Sequence, residues 1–174
     1  MKRLAALTLL LSGVLSAGEV SSPDFGFSVE FPGGEGFTAL EKVADSPKTV
    51  SWRSACPAQG LAFVVLATQE PLPNARPTFK ENTEEWERRN LSEEGMTIVE
   101  SSFVQVDGHD ARHVVLRIRR ASEEMFVSNW MIDGKDTVYF VIIAGPRKED
   151  LTSDRARRFL GSIHFPRQKP GSKP

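Results

Sequence analysis

Beyond residue 23 the chain is written in short apolar stretches separated by turn residues. Phe25, Phe27, Val29 and Phe31 alternate with Gly26, Ser28 and Glu30. That period of two presents one apolar face and predicts a strand. Pro32-Gly33-Gly34 ends it, because proline lacks the ladder donor and glycine weakens a strand. Val50 and Trp52 alternate with Thr49, Ser51 and Arg53 to predict a second strand. Leu61–Ala67 and Val138–Ile143 are apolar throughout, which suits central strands covered on both faces. Between them lie three further strand patterns, Met96–Val106, Ala111–Arg119 and Glu124–Ile132. The turn signals Asp107-Gly108-His109-Asp110 and Asp133-Gly134 separate them from one another and from a last strand over Thr137–Ala144.

The period lengthens twice. Thr78-Phe79-Lys80-Glu81 is a capping-box pattern that opens a helix running toward Gly95, a candidate C-terminal cap. Phe79 and Trp86, with Thr83 and Leu91, give that helix a thin apolar stripe. Glu84, Glu85, Glu87, Arg88, Arg89, Glu93 and Glu94 make a charged face expected in solvent. A second helix is predicted over 149–160, with Leu151, Ala156, Phe159 and Leu160 inward and Arg155, Arg157 and Arg158 outward. Gly161 is its expected cap, and Ser162–Phe165 a short final strand. The order is three strands, helix, four strands, helix, short strand. Hairpin turns join most of the strands, so the fold class is α+β, a mainly antiparallel sheet with helices packed on both sides. No repeat or compositional break marks a second domain, and 24–166 is expected as one unit.

The ends read differently. Lys2 and Arg3, the apolar run Leu4–Leu15 and the small residues Ser16, Ala17 and Gly18 predict a signal peptide over 1–17. The run is shorter than the ~20 residues a spanning helix needs, so no transmembrane anchor is expected after cleavage. No Cys stands at the cleavage point to carry a lipid. The mature chain is expected to be soluble and extracytoplasmic, either periplasmic or secreted. Residues 18–23 read as a short linker, and 167–174, rich in Pro and Lys, as a disordered tail.

Charge narrows the partners. The 22 Lys plus Arg and 23 Asp plus Glu of the 174-residue chain give −1, and loss of Lys2 and Arg3 takes the mature chain to −3. That balance offers no clustered positive field for a phosphate backbone, so no nucleic-acid partner is expected. Arg117, Arg119, Arg120, Lys148, Arg155, Arg157 and Arg158 form a basic surface only if the second helix crosses their side of the sheet. Neighbouring acids make ordinary charged faces the better reading.

Candidate chemistry is sparse. There is no Gly-rich phosphate loop with its Lys-Ser/Thr and no Gly-x-Ser-x-Gly elbow. Cys56 is the only cysteine, which excludes an intrachain disulfide and a Cys-only zinc site. It falls in a turn-like stretch and reads as a partly buried thiol with no local base. Asn90-Leu91-Ser92 matches a glycosylation acceptor, relevant only in a eukaryotic source. His109, Asp110 and His113 carry two imidazoles and a carboxylate, the donor set of a transition-metal site. On a strand, however, His109 and His113 share a face about 13 Å apart. The surface-turn reading is therefore preferred. His164 is expected to face solvent, and Phe79, Trp86, Trp130 and Tyr139 to pack the core.

Three segments together resemble the PsbP-like superfamily: Gly26-Phe27-Ser28-Val29-Glu30-Phe31-Pro32-Gly33, the turn Val106-Asp107-Gly108-His109-Asp110-Ala111-Arg112, and Phe159-Leu160-Gly161-Ser162-Ile163-His164-Phe165. The resemblance runs in order through nearly all of the mature chain and includes exported bacterial members of the DcrB and LpqN type. It implies an α/β/α sandwich around an antiparallel sheet and carries no catalytic residues, cofactor or metal ligands with it. Two function classes follow. The first is a non-catalytic exported module that binds a protein or envelope partner through the loops Pro32–Ala44 and Glu70–Pro77. The second is a small extracytoplasmic enzyme or metal-binding protein using Cys56 or His109, Asp110 and His113.

Overall fold

The computed structural model describes residues 18–70, 78–91, 93–134 and 136–165. The expected signal peptide, the tail and most of the loop Glu70–Pro77 lie outside them, as do Ser92 and the side chains of Asn90 and Leu91 in the Asn90-Leu91-Ser92 match. In chain order the strands are β1 (Gly18–Ser22), β2 (Phe27–Phe31), β3 (Glu41–Ser46), β4 (Thr49–Cys56) and β5 (Leu61–Thr68). Helix α1 (Phe79–Leu91) follows, then β6 (Met96–Val106), β7 (His109–Arg120), β8 (Glu123–Asp133), β9 (Val138–Gly145) and α2 (Asp154–Gly161). Among the described residues, seven strands form one antiparallel sheet in the order β3-β4-β5-β9-β8-β7-β6, while β1 and β2 form a separate hairpin.

The two apolar runs take the middle of that sheet. β9 is its central strand and β5 lies beside it, from Ala62 opposite Ala144 to Thr68 opposite Val138. One face buries Trp52, Phe63, Val65, Tyr139, Val141 and Ile143 beneath the β1–β2 hairpin and α2, which contribute Val29, Phe31, Ala156 and Phe159. The other face buries Val114, Leu116 and Met131 under α1, through Phe79 and Trp86. One helix therefore packs on each face, and the hairpin shares the cover on the α2 side.

Several expectations need correction. Residues 18–23 are not a linker, because Gly18–Ser22 pairs antiparallel with β2, Gly18 opposite Phe31 and Ser22 opposite Phe27. Val20 and Ser22 turn inward there, a pattern too short and polar to read in isolation. The stretch Pro32–Ala44 is not loop throughout, since Glu41–Ser46 is an edge strand against β4. The second helix is shorter than 149–160. A 3₁₀ turn spans Lys148–Thr152, and Ser153 then caps α2 by accepting from the Ala156 N–H at 3.3 Å. Gly161 is helical, and Ser162 at φ −89° ends the helix. The final strand is reduced to one bridge, in which Ser28 and His164 exchange N–H···O bonds of 2.9 Å each.

The turn read over Asp107–Asp110 is tighter than expected, because His109 and Asp110 already belong to β7. Asp107 (φ 49°) and Gly108 (φ 81°) make a two-residue turn with positive φ at both positions, matched to the strand twist. Gly95 is not a cap directly on α1 but the entry to β6, at φ 80°. A Cβ there would stand 2.3 Å from the Arg119 carbonyl oxygen, so only glycine fits. The capping box of α1 forms in both directions. Thr78 Oγ1 accepts from the Glu81 N–H at 3.2 Å, and Glu81 Oε2 accepts from the Thr78 N–H at 3.2 Å. Thr78→Ala should cost about 1 kcal/mol in chemical denaturation and loosen the first turn of α1 in amide exchange. An unchanged midpoint would show that the cap contributes nothing.

Candidate functional site

The sequence candidates do not converge. Cys56 ends β4 at 1% exposure, fully rather than partly buried, and packs against the loop at Gly36. His109 and His113 occupy one face of β7, and Asp110 the other, within 3.5 Å of Gln105 Nε2. His109 Nδ1 lies 2.9 Å from the Asp133 carbonyl oxygen, and its ring lies 4.8 Å from that of Phe165. His113 stacks on Trp130 with centroids 4.0 Å apart and planes 17° from parallel. Among the described residues no three His, Cys, Asp or Glu side chains are grouped so as to hold a metal ion. His164 is exposed, and Tyr139 is buried, with its hydroxyl donating to the Phe25 carbonyl.

The register brings together a group that the sequence does not display. Ser128 Oγ lies 2.8 Å from His113 Nε2 and accepts from Trp130 Nε1 at 3.1 Å. Burial lowers the His113 pKa, and the charge of Glu100 partly opposes that shift. A hydroxyl beside an imidazole is the start of a nucleophile–base pair. Ser128, however, is 3% exposed, with Trp130 N–H bound to the same oxygen. A substrate carbonyl has no approach to it. The pair satisfies polar groups inside the α2-side layer. Alternation places His113, Ser128 and Trp130 on one face, but only the pairing of His113 with Trp130 and of Val115 with Ser128 sets them side by side.

The charged positions are also more structured than their spacing suggests. Arg119 pairs with Glu124 at 2.7 Å, Arg157 with Asp154 at 3.7 Å, and Lys148 with Glu100. Acids thus divide the supposed basic surface. Glu87, expected in solvent, is largely covered at 14% side-chain exposure and takes a two-pronged bond from Arg112. A cleft of about 270 Å³ opens between the β2–β3 loop and α2, lined by Glu30, Pro32, Gly33, Arg155 and Arg158 over Phe31 and Phe159. Arg155 is positioned there by Phe37, 4.8 Å beneath its guanidinium, and by a 3.1 Å bond to Gln59.

The two edges of the sheet differ. β3 is six residues long, carries Glu41 and Lys42, and is interrupted between Ala44 and Ser46. Short length, charge and irregularity are the usual means of closing an edge. β6 is eleven residues long, and among the described residues it pairs with β7 alone. It exposes Val99 at 39% and Phe103 at 44%, the Arg112 guanidinium covering the Phe103 ring from 4.2 Å. No helix among the described residues is long and apolar enough to cross a membrane.

No protein-family model matches the sequence, and a comparison with curated proteins finds no match. Solved structures do match. The chain is similar to cyanobacterial PsbP (CyanoP) from Synechocystis, with 13% identity and a TM-score of 0.56 over 93% of this chain and 98% of that one. It is similar to the Ran-binding protein Mog1p of Saccharomyces cerevisiae, with 11% identity and a TM-score of 0.51 over 87% and 96%. A Bacteroides thetaiotaomicron protein matches at 13% identity and a TM-score of 0.56 over 91% of this chain, which spans about half (51%) of that protein's length. At such identities the likeness speaks for architecture, and the antiparallel sheet with its two helices is the PsbP-like α+β fold.

Proposed function

We propose that the protein is an exported, soluble docking module that works by presenting a surface, without a catalytic residue, cofactor or metal. The observation that carries this reading is the outer edge of β6, which among the described residues has no strand beside it and which exposes Val99 and Phe103. An edge of that kind binds by adding a strand, with main-chain hydrogen bonds for affinity and side-chain contacts for specificity. The candidate nucleophile and bases are instead committed to packing, Cys56 in the core and His113 to Trp130 and Ser128. Mog1p, a Ran-binding protein, has the same fold, which favours a protein partner. The signal-like N-terminus favours an extracytoplasmic place for it.

The test is site-specific photo-crosslinking in the source organism. A photoreactive residue at Phe103 should give a discrete crosslinked product in the extracytoplasmic fraction, while the same residue at Lys42, on the β3 edge, should give none. Equal or absent labelling at the two edges would overturn the docking role of β6, and absence of the protein from that fraction would overturn its export.

A further inference from the structure

We infer that the strand received by β6 is β6 of a second copy of this chain, in antiparallel register about Phe103. The inference rests on the docking reading above and names its partner. Val106 and His109 flank the two-residue turn and face each other, so they are the hydrogen-bonded pair of that hairpin. Alternation then turns the backbone groups of Val104, Ser102 and Glu100 toward β7. Those of Gln105, Phe103 and Ser101 face outward. The irregularity between Ile98 and Glu100 ends the straight part of the strand, and among the described residues Glu100–Val106 has no strand on its outer side. The midpoint of that segment is Phe103. Its backbone groups face outward and its side chain, at 44%, is the most exposed large hydrophobic one among the described residues.

A two-fold axis at Phe103 satisfies every requirement of a ladder at once. Phe103 meets its own copy, Ser101 meets Gln105 of the other chain, and all three have outward backbone groups. Directly opposed aromatic side chains stabilise such a pair. The only charge in the segment, Glu100, falls opposite Val106, which puts the two glutamates at opposite ends of the ladder, about 20 Å apart. Lys148 already neutralises each of them within its own chain. Seven paired residues cover well under the ~800 Å² per partner of a standard stable complex, so the dimer is weak and concentration-dependent.

Sedimentation velocity of the full mature chain should show a monomer–dimer equilibrium, weakened about tenfold or more in Phe103→Arg, which sets two like charges face to face. Cysteine pairing reads the register. Phe103→Cys should form an intermolecular disulfide under mild oxidation, since facing Cα atoms in a hydrogen-bonded pair lie about 5.5 Å apart. Ser101→Cys alone should form no intermolecular disulfide, and Ser101→Cys with Gln105→Cys should crosslink. Disulfide-linked dimers from Ser101→Cys alone would overturn the register. A chain monomeric at all concentrations, with crosslinks from position 103 to a different protein, would overturn self-pairing and leave the docking role standing. A monomer with no crosslink at all would remove both.

Discussion

Phe159→Ala should lower the stability of the protein by about 3–5 kcal/mol, the range for emptying a buried aromatic site. Phe159 is 1% exposed and sits between two other fully enclosed rings, 5.2 Å from Phe31 and 5.3 Å, edge-on, from Phe63. Those rings belong to different layers. Phe31 comes from the β1–β2 hairpin, Phe63 from the main sheet, and Phe159 from α2. The helix is eight residues long and buries only Ala156 and Phe159. A helix that short is marginal by itself, so this ring is its principal anchor. Urea denaturation should give a lower midpoint, with thermal unfolding shifted down by roughly 10 °C for a chain of this length. A loss below about 1 kcal/mol would show that the hairpin and helix close over the gap without needing the ring.

The second large effect is electrostatic and belongs to the other layer. Arg112→Met should cost about 2–3 kcal/mol while keeping an apolar stem beside Phe103. Arg112 and Glu87 are only 13% and 14% exposed at their side chains, and Ser101 donates to the same carboxylate. The pair joins the polar side of α1 to β6 and β7. Burial pushes the Glu87 carboxyl up, but the bonds from Arg112 and Ser101 outweigh it and hold the group below the usual range. A folded pKa below the unfolded one means stability that is fully present above the unfolded value near 4.3 and is lost as pH falls through the folded value. The difference between parent and variant should therefore be greatest near neutral pH and shrink on acidification. A difference that stays constant from about pH 7 to about pH 3 would show that Arg112 acts by packing alone. Amide exchange should place the loosening in α1.

How much of this was readable in advance depends on where each segment's information lies. β5 through β9 and α1 carry their own signals: apolar runs, alternation, Asp-Gly turns, a capping box. β1 and β3 do not. Gly-Glu-Val-Ser-Ser and Glu-Lys-Val-Ala-Asp-Ser become strands because β2 and β4 offer them a ladder, which is knowledge of the partner rather than of the segment. The break at Ser153 was hidden because serine is tolerated within a helix yet favoured at its start. The resemblance read from three short motifs agrees with the PsbP-like architecture. Site chemistry was less legible. That His109 and His113 share a face followed from alternation, whereas Ser128 beside His113 required the β7–β8 register. Glu87 looks like its neighbours Glu84 and Glu94 in sequence, and only the placement of Arg112 beneath α1 sets it apart.

The order β3-β4-β5-β9-β8-β7-β6 also governs how the molecule can be assembled. Two runs of neighbouring strands, β3 to β5 and β6 to β9, are each stitched by short local turns and can form with little loop-closure cost. The seam between them, β5 against β9, joins Ala62 to Ala144 and Thr68 to Val138, positions far apart along the chain. It lies at the centre of the sheet. A chain emerging from synthesis therefore holds β5, its most apolar N-terminal strand, with one edge bare until β9 arrives. During that interval the strand most exposed to wrong partners is not β6, which even in the folded sheet has no strand on its outer side among the described residues, but β5, whose edge is meant to close. The α2 layer can be completed only later still, because Phe159 follows β9 and closes against Phe63 on β5.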